Sequence, residues 1–336
     1  MYFKDLLRFR QAWLGLALLW VVIFHLPLDL GVLNFPKAVG YGGVDICFFA
    51  SGIGCFYSLN ADSNIGSFMK RRLRRLAPTY IVFIVIWLSC QFVAGNFNFQ
   101  MAIGNLFALQ YFTGLGFEFN WYIGALLLFY ILAPYFVAIV KQASPVHKIM
   151  FLLFLIACSI PFWNANTYII AITRLPIFYM GMIFADMCKK DMQISSMHVV
   201  CLVAAFILGV VSLGVVYFLF PQYLWSHGLY WYPFIVITPP LCIVLSYILM
   251  RIERIKVIKP VVSFFLLCGD YSFEIYLVHI LLISCISTVI SAFDLSRFSY
   301  LIWAIGSILL FVSCFILRRF TTLVNGLFHK YHNGNN

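Results

Sequence analysis

Apolar runs about twenty residues long recur from one end of the chain to the other, separated by short polar connections. A helix of that length rises about 30 Å, the thickness of a bilayer's hydrocarbon core. The pattern predicts an all-α fold, a polytopic membrane bundle of about ten transmembrane helices. The predicted spans are approximately 11–30, 43–60, 76–95, 121–140, 149–166, 169–187, 198–219, 230–250, 272–291 and 299–317. These helices lack the polar face that a soluble helix keeps towards water. Residues 100–116 form a further apolar stretch, interrupted by Gly104, Gly114 and Gly116, and read as a re-entrant or interfacial segment. The expected organisation is one transmembrane domain over residues 1–325 and a polar tail over 326–336, frayed from Phe328 onward. No internal repeat or low-complexity tract is visible.

Composition strengthens this picture. Hydrophobic residues make up 64% of the 336 and charged residues only 10%, against about 25% charged in a soluble domain. The formal net charge is +11, yet the basic residues sit at the ends of spans. That pattern orients a membrane protein and does not form a nucleic-acid face. With ten spans, one side collects Lys4, Arg8, Arg10, the run from Lys70 to Arg75, Lys141, Lys148, Lys189, Lys190, Arg251, Arg254, Lys256, Lys259, Arg318, Arg319 and Lys330. Only Lys37, Arg174 and Arg297 of the 22 basic residues fall on the other. Both termini of this multi-pass protein are therefore expected in the cytoplasm. The first apolar run is too long for a cleavable signal peptide. Ten cysteines contain no C-x-x-C pair and lie mostly within apolar runs, so they read as packing residues, with neither a disulfide framework nor a metal site.

Ionisable side chains at membrane depth are costly and should face a cavity or a partner. Five stand out: His25, Asp45, Arg174, Glu274 and His279. His25 lies about 20 Å along the first span, towards the outer half. Asp45 opens the second span after a short loop and can meet it at similar depth. An imidazole held at one nitrogen by a carboxylate is a general base for a hydroxyl; the same pair also reads as a structural hydrogen bond. Arg72 and Arg75, three apart at the start of the third span, either anchor the helix at the cytoplasmic face or converge on a phosphate ligand. Arg174 binds an acyl carbonyl, a sugar or Glu118, or else is the buried partner of Asp45. Trp121 and Tyr122 either stack on a sugar ring or belong to an interfacial aromatic belt. His147, His198, His227, His329 and His332 read as loop or span-end residues.

Several segments, in order, resemble the acyltransferase-3 family of integral-membrane O-acyltransferases. Gly15-Leu-Ala-Leu-Leu-Trp-Val-Val-Ile-Phe-His25 is similar to its opening helix with an essential histidine. Gly43-Val-Asp45 with Ser51-Gly52 resembles its second helix, and Arg72-Leu-Arg-Arg75-Leu-Ala-Pro78-Thr-Tyr80 its Arg-x-x-Arg segment. Trp121-Tyr122 with Tyr130 and Pro134, Arg174-Leu-Pro176 with Phe178 and Gly181, and Ser272 through Tyr276 to His279 resemble later elements. The family usually carries Arg or Lys where this chain has Leu14. Arg10, one turn inward of it and rotated by roughly 60° from His25 about the helix axis, is the candidate substitute.

The resemblance implies transfer of an acyl group, usually acetyl, from acyl-coenzyme A to a hydroxyl of a surface polysaccharide or lipid-linked sugar. No cofactor is expected to be permanently bound, and acetyl-CoA serves as donor substrate. The expected partners are acyl-CoA, that glycan acceptor and membrane lipids, without nucleic acid. In this reading His25 is the general base with Asp45 orienting it, or a transient acyl carrier. Arg72, Arg75 and Arg10 hold the donor, while Trp121, Tyr122, Arg174, Ser51, Glu274 and His279 face the acceptor or acyl group. The principal alternative is a transporter or flippase of a glycan or anionic substrate, which commonly shows two related halves with broken helices. No such duplication is visible in the sequence. A non-catalytic scaffold would leave the histidine, the aspartate and the arginine pair without a use.

Overall fold

The computed structural model describes residues 2–113 and 120–333. Ten helices in it are long and apolar enough to cross a membrane. In chain order their cores are α1 (Arg10–His25), α2 (Gly43–Ala61), α3 (Ile65–Val93), α4 (Trp121–Gln142), α5 (Pro145–Ala157), α6 (Leu175–Lys189), α7 (Ser196–Leu219), α8 (Tyr232–Ile252), α9 (Ser272–Ala292) and α10 (Ser299–Asn333). Among the described residues the only strand-like feature is an isolated bridge between Tyr2 and Gln193. The ten predicted spans correspond one for one to these helices.

Local sequence sets the boundaries. The Asn64 side chain accepts a hydrogen bond from the Ser67 N–H ahead of α3, Ser144 and Pro145 start α5, and Ser195 caps α7 with His198. These polar groups satisfy amides that have no partner within the helix. Pro27 follows the end of α1 and disfavours helical backbone at Leu26, so His25 is the last helical residue. Pro78, Pro134, Pro239 and Pro240 lie inside helices, as membrane helices tolerate.

α2 is the centre of the bundle, with 89% of its most apolar stretch buried, whereas α5 and α7 bury 11% and face outward. Lipid tails are as apolar as the helices, so close backbone contact supplies the attraction. At Gly52 a Cβ would stand 2.0 Å from the Phe178 carbonyl oxygen, and at Gly181 one would stand 2.2 Å from that of Phe49. These two glycines join α2 to α6. Gly15 and Gly269 do the same between α1 and the Lys259–Asp270 helix.

Connections expected on one side do meet. Lys4 pairs with Asp191 at 2.9 Å, Arg8 with Glu253, and Lys190 and Lys148 with Asp186 at 2.8 and 3.0 Å. The first and last described helical turns lie at this basic end. At the opposite end the Tyr300 hydroxyl donates to the Asp29 carbonyl at 3.0 Å, and the Asn164 N–H to that of Ser226 at 2.7 Å.

Four expectations change. α3 begins at Ile65 rather than near residue 76, so the basic run is helical. At 29 residues the helix is about 43 Å long, and its first turns project beyond a hydrocarbon core. The sixth span is broken: Asn166–Ile172 forms a short helix, and Arg174 lies at the junction, capping α6. Residues 100–113 form two short helices, Phe99–Leu106 and Gln110–Thr113; Gly114, Gly116 and Glu118 lie outside the described residues. Finally, α10 continues to Asn333, so most of the expected tail is helical; residues 334–336, and the side chains of His329 and His332, lie outside the described ones.

Candidate functional site

A cavity of about 210 Å³ opens towards the basic end between α1, α2, α3, α4, α9 and α10. Arg10, Arg72, Arg75 and Arg318 line it. The helical start of α3 puts Arg72 and Arg75 on one face, three residues apart. Arg72 donates to the Gly54 carbonyl and stacks over the rings of Phe68 at 5.3 Å and Tyr130 at 5.5 Å. Gly54 lies against both groups: a Cβ there would lie 3.3 Å from Nη1 of Arg10 and 3.6 Å from Nη1 of Arg72. Two guanidinium groups from different helices thus rest against one bare stretch of α2. Arg10 and Leu14 both line this cavity.

Arg318 differs in having a partner. Its Nε and Nη2 donate to the two carboxylate oxygens of Glu274 at 2.8 and 2.9 Å, a forked arrangement that neutralises both, and Nη2 also reaches the Asp270 carbonyl. The Asp270 carboxylate accepts from Gln11 at 2.8 Å. Among the described residues no carboxylate pairs with Arg10, Arg72 or Arg75, and the buried Nε of Arg72 has no hydrogen-bond partner. The cavity therefore holds a cluster of uncompensated positive charge. Arg71, by contrast, turns away to Asp62 at 2.6 Å and holds that carboxyl below the usual carboxylate range through this hydrogen bond.

The cavity is also lined by Ser51, Tyr122, Tyr130, Ser272 and Tyr276. The lining faces of α1 and α9 continue to two histidines. His25 follows the lining residue Leu14 by three turns and Leu18 by two, and His279 follows Ser272 by two. Their rings meet at 5.2 Å, and Tyr276 stands 5.9 Å from His279. The Nδ1 of His25 lies 2.8 Å from the Val21 carbonyl, and that of His279 lies 2.7 Å from the Tyr276 carbonyl. A carbonyl only accepts, so each Nδ1 carries the hydrogen and each Nε2 presents a lone pair. The Nε2 of His279 is buried with no partner.

Asp45 does not orient His25. Its carboxylate lies 3.3 Å from Nε of Arg174, with both side chains cut off from solvent. Neither of its oxygens makes a hydrogen bond, and the Val21 carbonyl takes the role expected of it. The short loop before α2 delivers Asp45 towards α6 because Gly43 packs on Ala17 of α1 and Asp45 points to the far side of the helix. Arg174 is further clamped between the rings of Trp121 at 5.1 Å and Trp231 at 4.7 Å. Among the described residues its carboxylate partner is therefore Asp45; Glu118 lies outside them.

Trp121 and Tyr122 form no open stacking platform. Trp121 covers Arg174, and the Tyr122 ring packs on Phe48 at 4.8 Å and Tyr276 at 4.9 Å. Ser51, Tyr122 and Glu274 all belong to the cavity at the basic end rather than to the opposite surface. The remaining described histidines are local: His147 bonds Ser144, His198 bonds Ser195 and His227 bonds Ser226. Sequence reasoning missed Arg318, counted only as an orienting charge, and Trp231. It also quoted Tyr130 and Tyr276 within motifs without assigning them a place.

A family model described as an acyltransferase domain covers residues 14–319, nearly the whole bundle, and agrees with this geometry: the chain is a multi-pass membrane acyltransferase. It belongs to the acyltransferase-3 family. Neither a curated protein nor a solved structure matches it.

Proposed function

We propose that the protein moves an acyl group, acetyl in its natural reaction, from cytoplasmic acyl-coenzyme A to a hydroxyl of a surface polysaccharide or lipid-linked sugar at a bacterial inner membrane. The observation that carries this reading is the cluster of Arg10, Arg72 and Arg75, without a carboxylate partner, in one cavity, with His25 two turns beyond its lining residue Leu18 on the same face of α1. Phosphates are the ligands that such forks bind best. A cavity of about 210 Å³ suits the narrow arm of the thioester, and leaves the bulky nucleotide at the arginine-lined mouth.

The chemistry follows from position. A thioester is already activated, so the protein must hold it beside the acceptor, remove a proton and balance the charge that develops. His25 Nε2 takes the proton from the acceptor hydroxyl as its oxygen bonds to the acyl carbon. The carbon–sulfur bond then breaks, and the departing thiolate receives that proton. The Val21 carbonyl holds the other nitrogen, fixing the tautomer the reaction needs.

The test compares the ester content of the host's surface glycans, by mass spectrometry with and without mild base, in a deletion strain complemented with wild type or His25→Ala. Wild type is expected to restore an ester and the variant, at equal expression, to leave it absent. Equal ester in all strains alongside altered glycan export would overturn the proposal in favour of a transporter.

A further inference from the structure

Beyond the two histidines, away from the basic end, a groove of about 20 Å³ lies between α1, α9 and α10. One face of each helix builds it: Val22 and Leu26 on α1, His279 and Ile286 on α9, and Gly306 and Ser307 on α10. Their separations along each helix repeat its turn. Gly306 keeps the space open, since a Cβ there would stand 2.6 Å from Cδ1 of Ile286. Ser307 is exposed at the rim, next to the exposed Ile308 and Leu309. In a helix that crosses the membrane, that side meets hydrocarbon, so the groove opens sideways into the bilayer.

The polar end of the groove is His279, which is buried. Its Nδ1 turns back to the Tyr276 carbonyl of its own helix at 2.7 Å, which leaves the opposite edge of the ring to the groove. Nε2 on that edge carries a lone pair and has no partner. Only a hydrogen donor satisfies it. Ser307 spends its hydrogen on the Trp303 carbonyl at 3.0 Å, and the Trp303 indole, which also lines the groove, does not reach the nitrogen. The donor must therefore come from a ligand. Carbonyls and ethers only accept, and a cation is costly at membrane depth. Water wants two to four polar partners, and this lining is mostly aliphatic. A neutral hydroxyl on an apolar chain meets every condition.

We propose that the groove is a lateral binding site for an aliphatic alcohol dissolved in the bilayer, with the hydroxyl donating to Nε2 of His279 and the chain leaving past Ser307 into lipid. The space of about 20 Å³ takes the hydroxyl end alone, since one water already needs roughly 10–15 Å³, and the open rim accommodates a chain of any length. The site is separate from the arginine-lined cavity: Tyr276 borders that one and His279 this one, their rings 5.9 Å apart. A bound alcohol sits one ring away from His25, which His279 meets at 5.2 Å. The inference stands without the acyltransferase reading.

The experiment uses the full-length protein in phospholipid vesicles and an octanol that carries a photoactivatable diazirine on its chain. After irradiation the adducts are mapped by mass spectrometry, and they are expected on α9 between His279 and Ile286 and on α10 between Trp303 and Leu310. Excess 1-octanol is expected to reduce them several-fold. Its isomer 1-methoxyheptane, which accepts but cannot donate a hydrogen bond, is expected to leave them nearly unchanged at the same membrane concentration. His279→Leu should make the two competitors alike, whereas His279→Gln, which keeps an acceptor, should preserve the difference. The two competitors are compared on the wild type, so a variant that fails to fold leaves the test intact. Equal competition by the ether reduces the groove to a lipid-filled crevice and overturns the proposal, as does labelling spread evenly over the lipid-facing helices.

Discussion

Nε of Arg174 stands 3.3 Å from Oδ1 of Asp45, at the meeting of α6 with the first turn of α2, and neither side chain reaches solvent. The indoles of Trp121 and Trp231 close over the guanidinium. The pair therefore ties the break in the sixth span to the central helix. Removing one member of a buried ion pair leaves the other uncompensated, at a cost of about 3–5 kcal/mol. Asp45→Ala should lower the thermal midpoint of the detergent-solubilised protein substantially, while the double variant Asp45→Ala with Arg174→Met should recover part of the loss. A thermal-shift series checks this; an unchanged midpoint in Asp45→Ala would show that the pair does not hold the fold.

The three unpaired arginines lead to a kinetic expectation. Charged hydrogen bonds contribute about 1.5–3 kcal/mol each, so Arg72→Ala, Arg75→Ala and Arg10→Ala should each raise the apparent KM for acyl-coenzyme A by about tenfold or more. Arg71→Ala, whose native side chain is engaged by Asp62, should leave that KM where it was. Initial rates against donor concentration separate the cases, and an unaltered KM in Arg75→Ala removes that residue from the donor site.

Glu274 offers a test with the opposite sign. It offsets Arg318 within the cationic cavity, so Glu274→Gln adds net positive charge where the donor's phosphates are proposed to bind. The donor KM should fall, more clearly at low ionic strength because surface fields are screened by salt. A change confined to the acceptor KM would instead return Glu274 to the acceptor role that the sequence suggested.

The number of spans, their order and the sorting of basic residues to one end were legible in the sequence, because bilayer thickness and charge placement act on each segment separately. The same holds for the candidate arginines of α3 and for His25, whose depth follows from counting along a single helix. Breaks and overruns were less legible. Ile65 starts α3 early through an asparagine cap, and Arg174 interrupts the sixth span, because local capping and a buried partner override an apolar-run boundary.

What the sequence by itself determined is therefore the one-dimensional part: an all-α membrane bundle, its orientation pattern and the set of residues too polar to be idle in lipid. Tertiary structure alone decided how those residues were paired. Asp45 was equally able to meet His25 or Arg174 by depth, and helix rotation chose Arg174. His279, 254 positions from His25 in the chain, became its neighbour at 5.2 Å through the packing of α9 on α1. Arg10 came to share a cavity with Arg72 and Arg75 of another helix, beside Gly54 of a third. The reason is physical: depth follows from rise along one helix, whereas the facing of two side chains depends on the rotation of both helices, which glycine contacts and buried charges settle only when the bundle closes.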